Sequence, residues 1–264
     1  MKFENILGVP DFEAEELCER RSDSCLLIPV INEGERLLRE LSRAQKAGVG
    51  QLCDIIILDG GSVDGSVKRE VLEPLGVNSV LVKRGAGRQG AQLRMGFWWA
   101  LRRGYESFVT IDGNDKDSIE SIPLFLEKLS DGYDFVQGSR FIEGGIEENT
   151  PCSRLIAVRL IHAPLISLAA RHHFTDTTNA FRAYSKKYLT HKGLEPFRDV
   201  FCGYELLAYL SVRATRLGLR ACEVPVSRRY PKTGKTPTKI SPVRGNASLL
   251  KVLIKTLKGD YNPK

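Results

Sequence analysis

Asp112, Gly113, Asn114 and Asp115 follow directly on the apolar run 108–111, and Lys116, Asp117, Ser118 and Glu120 come next. Carboxylate and amide oxygens at alternate positions past a buried strand can share one hard cation, and such a cation can hold a nucleotide diphosphate. The same residues can equally form an acidic turn leading into a helix capped by Ser118. The elements around them decide between the two.

Those elements alternate. β-rich apolar runs at residues 25–31, 55–58, 79–82, 108–111 and 135–137 are each followed by turn residues and a helical pattern. The first helix is expected over 35–46, stopped by Gly48, and the third over 89–103, stopped by Gly104. Strands alternating with helices imply an α/β fold with one doubly wound, mostly parallel sheet, in which ligands bind beyond the carboxyl ends of the strands. A further apolar helix is expected over about 153–171 and another over 204–217.

The turn motifs all fall at those strand ends. "LLIPVINEGERL" places Pro29, Asn32 and Glu33 where backbone amides are free, and "IIILDGGSVDGS" gives Asp59 as an acceptor for a base or ribose. Gly60 and Gly61 let the backbone come close to a ligand. In "KRGAGRQGAQLRMG", Gly85, Gly87 and Gly90 fit a Gly-x-Gly-x-x-Gly pattern. A dinucleotide fold would put that fingerprint on the first unit and an acid about 20 residues later, at the next strand end. Here it lies on the third unit, and Asp112, 22 residues past Gly90, is inside the acidic cluster, so a dehydrogenase is not expected. Arg140, in "DFVQGSRFIEGG", is placed for a two-point phosphate contact or for a surface salt bridge.

A chain of 264 residues with 42% hydrophobic content can bury a sizeable core. The expected organisation is an N-terminal extension over 1–23, one domain over 24–243 and a basic amphipathic helix over 244–264. Of the formal charge of +7, residues from Arg216 onward carry 12 Lys/Arg against 2 Asp/Glu, or +10, leaving −3 for the rest. Such a tail suits an anionic partner, either a phosphorylated substrate or a lipid headgroup. Nucleic acid is not expected, because no binding motif is present and Tyr230 and Tyr261 are the segment's only aromatics. The six cysteines and four histidines show no zinc spacing, and the acidic N-terminus has no apolar signal region. The apolar stretch "LIAVRLIHAPLISLAA", interrupted by Arg159, His162 and Pro164, is expected to fall short of a spanning helix. A cytoplasmic protein, soluble or peripheral on the membrane's cytoplasmic face, is the expectation.

The ordered series "IPVINE", "LDGGSVDGS", "RGAGRQGA", "IDGND", "VQGSRF", "TDTTNAFRAYS" and "EVPVSRRY", from about Cys25 to Lys239, resembles the inverting family 2 glycosyltransferases of GT-A fold. Within them it is similar to polyprenyl-phosphate sugar transferases of the dolichol-phosphate mannose synthase type. The resemblance implies that Pro29, Glu33 and Asp59 line a nucleotide pocket, joined by Asn32, Gly61 and Gly87. It implies Mg2+ or Mn2+ on Asp112 and Asn114, Arg140 near an acceptor phosphate, and Arg228, Arg229 and Lys235 closing over the donor. Asp176 and Arg182 of "TDTTNAFR" complete the set. Gly60 stands where the family has a second aspartate, Asn114 where it has a second metal carboxylate, and Lys116 where relatives often have Gln. Cation affinity should fall unless Asp115 or Asp117 contributes, and the ammonium of Lys116 can share in neutralising the diphosphate.

Inverting transfer needs in-line attack on the anomeric carbon while the departing nucleoside diphosphate is stabilised. A polyprenyl phosphate acceptor is already anionic and needs no base; a saccharide hydroxyl needs a carboxylate, for which Asp176 is the candidate with Glu205 behind it. Asp176 can instead cap a turn beside Arg182. A third reading is a catalytically weak nucleotide-sugar-binding module. The apolar helix around 155–170 and the segment "SLLKVLIKTLK", with Lys251, Lys255 and Lys258 between its leucines, suit an anionic membrane surface, core packing or subunit association. The sugar and the oligomeric state are left open.

Overall fold

Two runs of the chain are apolar on both faces, "SCLLIPV" and "DIIILD", and they form the centre of the sheet: β3 (Ser24–Val30) beside β4 (Asp54–Asp59). The structure, a computed structural model, describes residues 1–231 and 244–263. Nine strands form one sheet in the order β1-β2-β5-β4-β3-β6-β9-β7-β10. The remaining seven of these are β1 (Lys2–Phe3), β2 (Phe12–Glu16), β5 (Val77–Lys83), β6 (Ser107–Thr110), β7 (Phe135–Ser139), β9 (Arg182–Ser185) and β10 (Ala221–Pro225). A two-stranded ribbon, β8 (Ile146–Glu148) with β11 (Ser227–Arg229), lies beside it. Only β2 and β9 oppose the common direction, so the carboxyl ends of β3 to β7 and of β10 share one edge.

Side chains alternate across the central strands, as a pleated strand requires. Leu27, Ile56 and Leu58 join a core with Phe97, Trp99, Tyr184 and Tyr209, and Leu26, Ile28 and Ile57 join a second core with Leu37, Leu41 and Phe125. The first face is covered by α2 (Gln89–Arg102) and a later helix (Glu205–Arg216); the second is covered by α1 (Glu35–Lys46) and α3 (Ile122–Ser130). Each fully buried aromatic or aliphatic side chain contributes roughly 1.5–3 kcal/mol. The expected helix bounds agree within a residue, and the chain turns at Gly48 and Gly104 with positive φ.

Two differences matter. Residues 1–23, expected as an extension ahead of the domain, supply β1 and β2, and β2 pairs antiparallel with β5 from Phe12 opposite Lys83 to Glu16 opposite Ser79. Phe12 and Ala14 point inward while Glu13 and Glu15 face water, an alternation inside "FEAEE" that makes it a strand. The apolar stretch after β8, expected to fall short of a span, forms α4 (Cys152–Ala170), 19 residues with mean hydropathy 1.4 and long and apolar enough to cross a bilayer. Its middle, Val158–His162, is a π turn, and it ends at Arg171 in the left-handed region. Val158, Ala163, Ile166 and Ala170 face the domain, whereas Leu160 is 71% and Leu168 67% exposed. The last helices are α5 (Glu205–Arg216) and α6 (Arg244–Lys258); α6 packs on α4 and α5 and buries Val252 and Leu253.

Candidate active site

The acidic loop after β6 sorts its own residues. Asn114 N donates to Asp112 O at 2.8 Å, closing a tight turn. Asp115 then takes a φ of 59°, which swings its carboxylate away from the sheet edge onto α1, where it pairs with Arg39 at 3.0 Å and Arg43 at 2.9 Å. Its N–H donates to the buried carboxyl of Glu40 at 3.0 Å, and burial pushes Glu40 well above the usual carboxylate range. Asp117 is buried and ion-paired with Arg228; burial raises its carboxyl against the pull of that guanidinium. Asp112 is the loop's half-exposed carboxylate. Gln89 Nε2 donates to its Oδ1 at 2.8 Å, and Arg228 Nη2 stands 3.4 Å from Oδ2.

Asn114 Oδ1 is buried and has no hydrogen-bond partner among the described residues. An amide oxygen without a donor, two residues from the Asp112 carboxylate, gives the loop two oxygens of the type a hard divalent cation takes. Asp115 and Asp117, the loop's other aspartates, are each matched by arginine instead.

Strand β11 is pinned against this loop. Ser118 N donates to Ser227 O at 3.0 Å, Ser227 N to Ser118 Oγ at 2.9 Å, and Arg229 N to Lys116 O at 2.8 Å. The Ser118 hydroxyl thus holds β11 instead of capping the following helix. This brings Lys116, Arg228 and Tyr230 together. Arg154, from α4, donates from Nη1 to the Tyr230 hydroxyl at 3.1 Å. Burial lowers the Lys116 ammonium, and the Arg228 charge lowers it further. Burial alone would raise the Tyr230 phenol, but Arg228, Arg154 and Lys116 bring it down to about 8. Burial, and then the nearby Asp112, raise the phenol of Tyr204 at the start of α5.

At the β3 and β4 ends the predicted residues clip two turns together. Asp59 accepts from Ser62 N at 2.9 Å and Ser62 Oγ at 2.6 Å, Asn32 N donates to Ser62 Oγ at 2.9 Å, and Asn32 Oδ1 accepts from Val63 N at 2.8 Å. Gly61, at φ 96°, makes the turn between them. Pro29 is half-buried within β3, and Glu33 pairs with Arg36 at 2.7 Å. At the end of β5, Lys83 Nζ donates to Gly85 O at 2.5 Å; burial lowers its ammonium and Asp59 opposes this. Gly87 has φ 102°, and a Cβ there would stand 2.5 Å from that of Ala91.

On the far side of the edge, Arg140 and Asp176 form a buried two-point pair. Asp176 Oδ1 also accepts from Thr178 N and Thr178 Oγ1, each at 3.3 Å, so it closes the turn ahead of Arg182 while it holds Arg140. Arg182, expected among the substrate-binding residues, is 1% exposed and donates to Thr177 O, Asn179 O, Leu207 O and Ser211 Oγ within the core. It braces β9 against α5 inside the core, away from solvent. Glu205 accepts from Gly203 N at 2.5 Å. Arg229 is exposed and pairs with Glu148 at 3.0 Å, and Lys235 lies outside the described residues. Gln89, Lys83, Arg154, Tyr204 and Tyr230 were not singled out from the sequence. Only Lys83 had a local signal, a lysine closing an apolar strand.

Residues 25–191 match the profile of Glycosyl transferase family 2. The chain is 32% identical over 205 residues to the undecaprenyl-phosphate mannosyltransferase of Micrococcus luteus, covering 76% of this chain and 81% of that protein. It is 29% identical over 207 residues to the polyprenol monophosphomannose synthase of Mycolicibacterium smegmatis, covering 76% of each. Among solved structures, glucosyl-3-phosphoglycerate synthase from Mycobacterium tuberculosis with Mn2+, UDP-glucose and phosphoglyceric acid superposes with a TM-score of 0.61 at 18% identity, over 89% of this chain and 78% of that one.

Proposed function

The chain belongs to glycosyl transferase family 2 and is a glycosyltransferase of GT-A fold, and from that premise we propose that it moves a hexose, with inversion, from a nucleoside diphosphate sugar to a polyprenyl phosphate. The observation that carries the acceptor class is the Arg140–Asp176 pair. A hydroxyl acceptor needs a carboxylate free to take its proton. Asp176 is locked by Arg140, and Glu205 faces the Gly203 amide. An acceptor that arrives already anionic meets no such requirement, and the relatives' names carry acceptors of that kind.

The donor's base and ribose are assigned to the clipped turns of Asp59 and Asn32 beside Lys83, and its diphosphate to the groove beside Asp112. Asp112 and Asn114 would hold a divalent cation there, Mg2+ or Mn2+, which when bound supplies positive charge to the leaving group. Gln89 orients Asp112 through its 2.8 Å bond, and Arg228 and Lys116 meet the charge that grows on the diphosphate as the glycosidic bond breaks. The acceptor phosphate is assigned to the exposed Arg159, whose guanidinium carbon lies 4.5 Å from the Phe141 ring centre; Arg140, 4.9 Å from the same ring, is held by Asp176 and adds its charge from behind this seat. Arg159 is carried by α4, so this phosphate seat adjoins a helix with an exposed apolar face.

That face supports peripheral attachment to a membrane. Ile156, Leu160, Ile161 and Leu168 of α4 and Leu250, Ile254 and Leu257 of α6 are exposed, with Lys251, Lys255 and Lys258 alongside. One face of α4 is packed on the domain, which favours a helix lying on the bilayer over one crossing it. The test is an assay of purified protein with a panel of nucleotide sugars, Mn2+ and a polyprenyl phosphate. Sugar-phosphate lipid is the expected product; transfer to saccharide hydroxyls alone would overturn the acceptor assignment, and binding without turnover on any acceptor would favour a sensing module.

A further inference from the structure

We propose that Arg43 and Glu40 of α1 are positioning residues for the cation: they clamp the loop after β6 in the shape that presents Asp112 and Asn114 from one tight turn. The proposal rests on the transferase reading with its two cation oxygens, and it concerns the residues behind them.

Arg39, Glu40 and Arg43 fall within one turn of α1, at spacings of three and four that put their side chains on one face of the helix. Arg43 spans the loop. Its Nη1 donates to Asp115 Oδ1 at 2.9 Å and its Nη2 to Asp117 O at 3.1 Å, while Nε and Nη2 hold the two carboxylate oxygens of Glu120 at 2.8 and 2.6 Å. Arg39 Nε donates to Asp115 Oδ2 at 3.0 Å, and Glu40 Oε2 accepts from Asp115 N at 3.0 Å. Asp115 is thus held at its amide and at both carboxylate oxygens, every time by α1.

What these contacts fix is backbone. At φ 59° Asp115 lies in the left-handed region, where residues with side chains are uncommon, and it directly follows Asn114, whose amide closes the turn onto Asp112 O. Released from α1, the loop is free to relax at 115, and a cation then has to order its own oxygens at an entropic cost to binding. Charge alone argues the other way. Removing Arg43 takes a positive charge from beside the loop and leaves Asp115 with one arginine fewer, so simple attraction would tighten Mn2+ binding. Positioning weakens it. Glu40 sharpens the distinction: burial, and then the charges of Asp117, Asp115 and Asp112, push its carboxyl well above the usual range against the pull of the Asp115 amide, so it serves as a neutral acceptor and brings no charge of its own.

A Mn2+ titration of the full chain, with the free ion followed by its paramagnetic resonance, tests this. Arg43→Gln should bind Mn2+ about tenfold more weakly, and Arg43→Lys, which keeps the charge but not the fork, should lose about as much. The Arg43 side chain is 32% exposed, and the lysine variant stays informative if the glutamine variant fails to fold. Glu40→Gln, which keeps a neutral acceptor for the Asp115 amide, should bind as the unaltered chain does. Saturating Mn2+ should return the turnover of Arg43→Gln to within about threefold of the unaltered enzyme, so that the loss sits in the cation's apparent constant and not in kcat. Binding by either Arg43 variant as tight as that of the unaltered chain or tighter, a tenfold loss in Glu40→Gln, or turnover that stays low at saturating Mn2+ overturns the proposal and leaves the transferase reading standing. An unaltered chain that binds no Mn2+ removes the cation assignment and the proposal with it.

Discussion

Arg140 and Asp176 face each other in two parallel contacts, Nε to Oδ2 at 2.6 Å and Nη2 to Oδ1 at 3.1 Å, and neither side chain is more than 2% exposed. Glu223 accepts from the Asp176 amide at 3.2 Å, and Thr178 receives a bond from Arg140 at 3.3 Å, so the pair is fixed from both sides. A charge pair this deep is costly to break at one end, because the remaining ion is buried without a partner.

Asp176→Ala should therefore destabilise the fold by about 3–5 kcal/mol in urea unfolding. Replacing both residues, with Arg140→Leu alongside Asp176→Ala, should recover most of that loss, a coupling that a double-mutant cycle reads directly. A coupling under about 0.5 kcal/mol would show that the pair is not the local keystone described above. With a polyprenyl phosphate acceptor, the turnover of folded Asp176→Asn should fall far less than that of Asp112→Ala.

Asp112→Ala removes the half-exposed carboxylate that Gln89 orients and Arg228 shares, and it should lower turnover by about 10²–10³-fold with any acceptor. Near-normal turnover in the purified variant would refute the site assignment. Asn114→Asp restores a charge at the second oxygen position, so Mn2+ binding, followed by the paramagnetic loss of free-ion signal, should tighten by about tenfold. Unchanged affinity would mean that residue 114 does not face the cation.

How far these residues could be read beforehand varies with the range of the forces involved. Strands β3 and β4 were legible because a parallel strand covered on both faces must be a continuous apolar run, and α1 because its apolar stripe stops at Gly48. β2 was not, since its three glutamates hide a two-residue alternation and its partner β5 lies over 60 residues away. The acidic loop was legible as a cluster beyond a strand end, but not how its acids are shared out: that follows from the positive φ of Asp115 and from arginines on α1. That Asp176 pairs with Arg140 while Arg182 is buried against α5 depends on β9 entering the sheet between β6 and β7, a pairing with no local signature.

One of the eight tyrosines should ionise about two pH units early. The Tyr230 phenol, depressed from 10 to about 8, favours its charged form in the folded chain. Its contribution to stability is therefore fully present above about pH 10 and lost as the pH falls through 8. Phenolate absorbance during a pH titration should show one early step, absent in Tyr230→Phe. A titration with no step below pH 9 in the unaltered chain would contradict the gathering of Arg228, Arg154 and Lys116 about this ring.

The exposed apolar residues of α4 and α6 give the last expectation. Leu160 and Leu168 lie on α4, and Leu250 and Ile254 on α6, which packs beside it, so the two helices offer one surface. Because these side chains already face water, Leu160→Glu with Ile254→Glu should change folding stability by no more than about 0.5 kcal/mol each. The same changes remove apolar area from the bilayer contact and place carboxylates against anionic headgroups, which repel them. Flotation with vesicles rich in anionic lipid should carry the unaltered chain and leave the double variant behind, and raised salt should weaken the former through Lys251, Lys255 and Lys258. Equal flotation of both proteins would place the membrane contact elsewhere, while no flotation of either at low salt would leave the apolar face to a second protein surface.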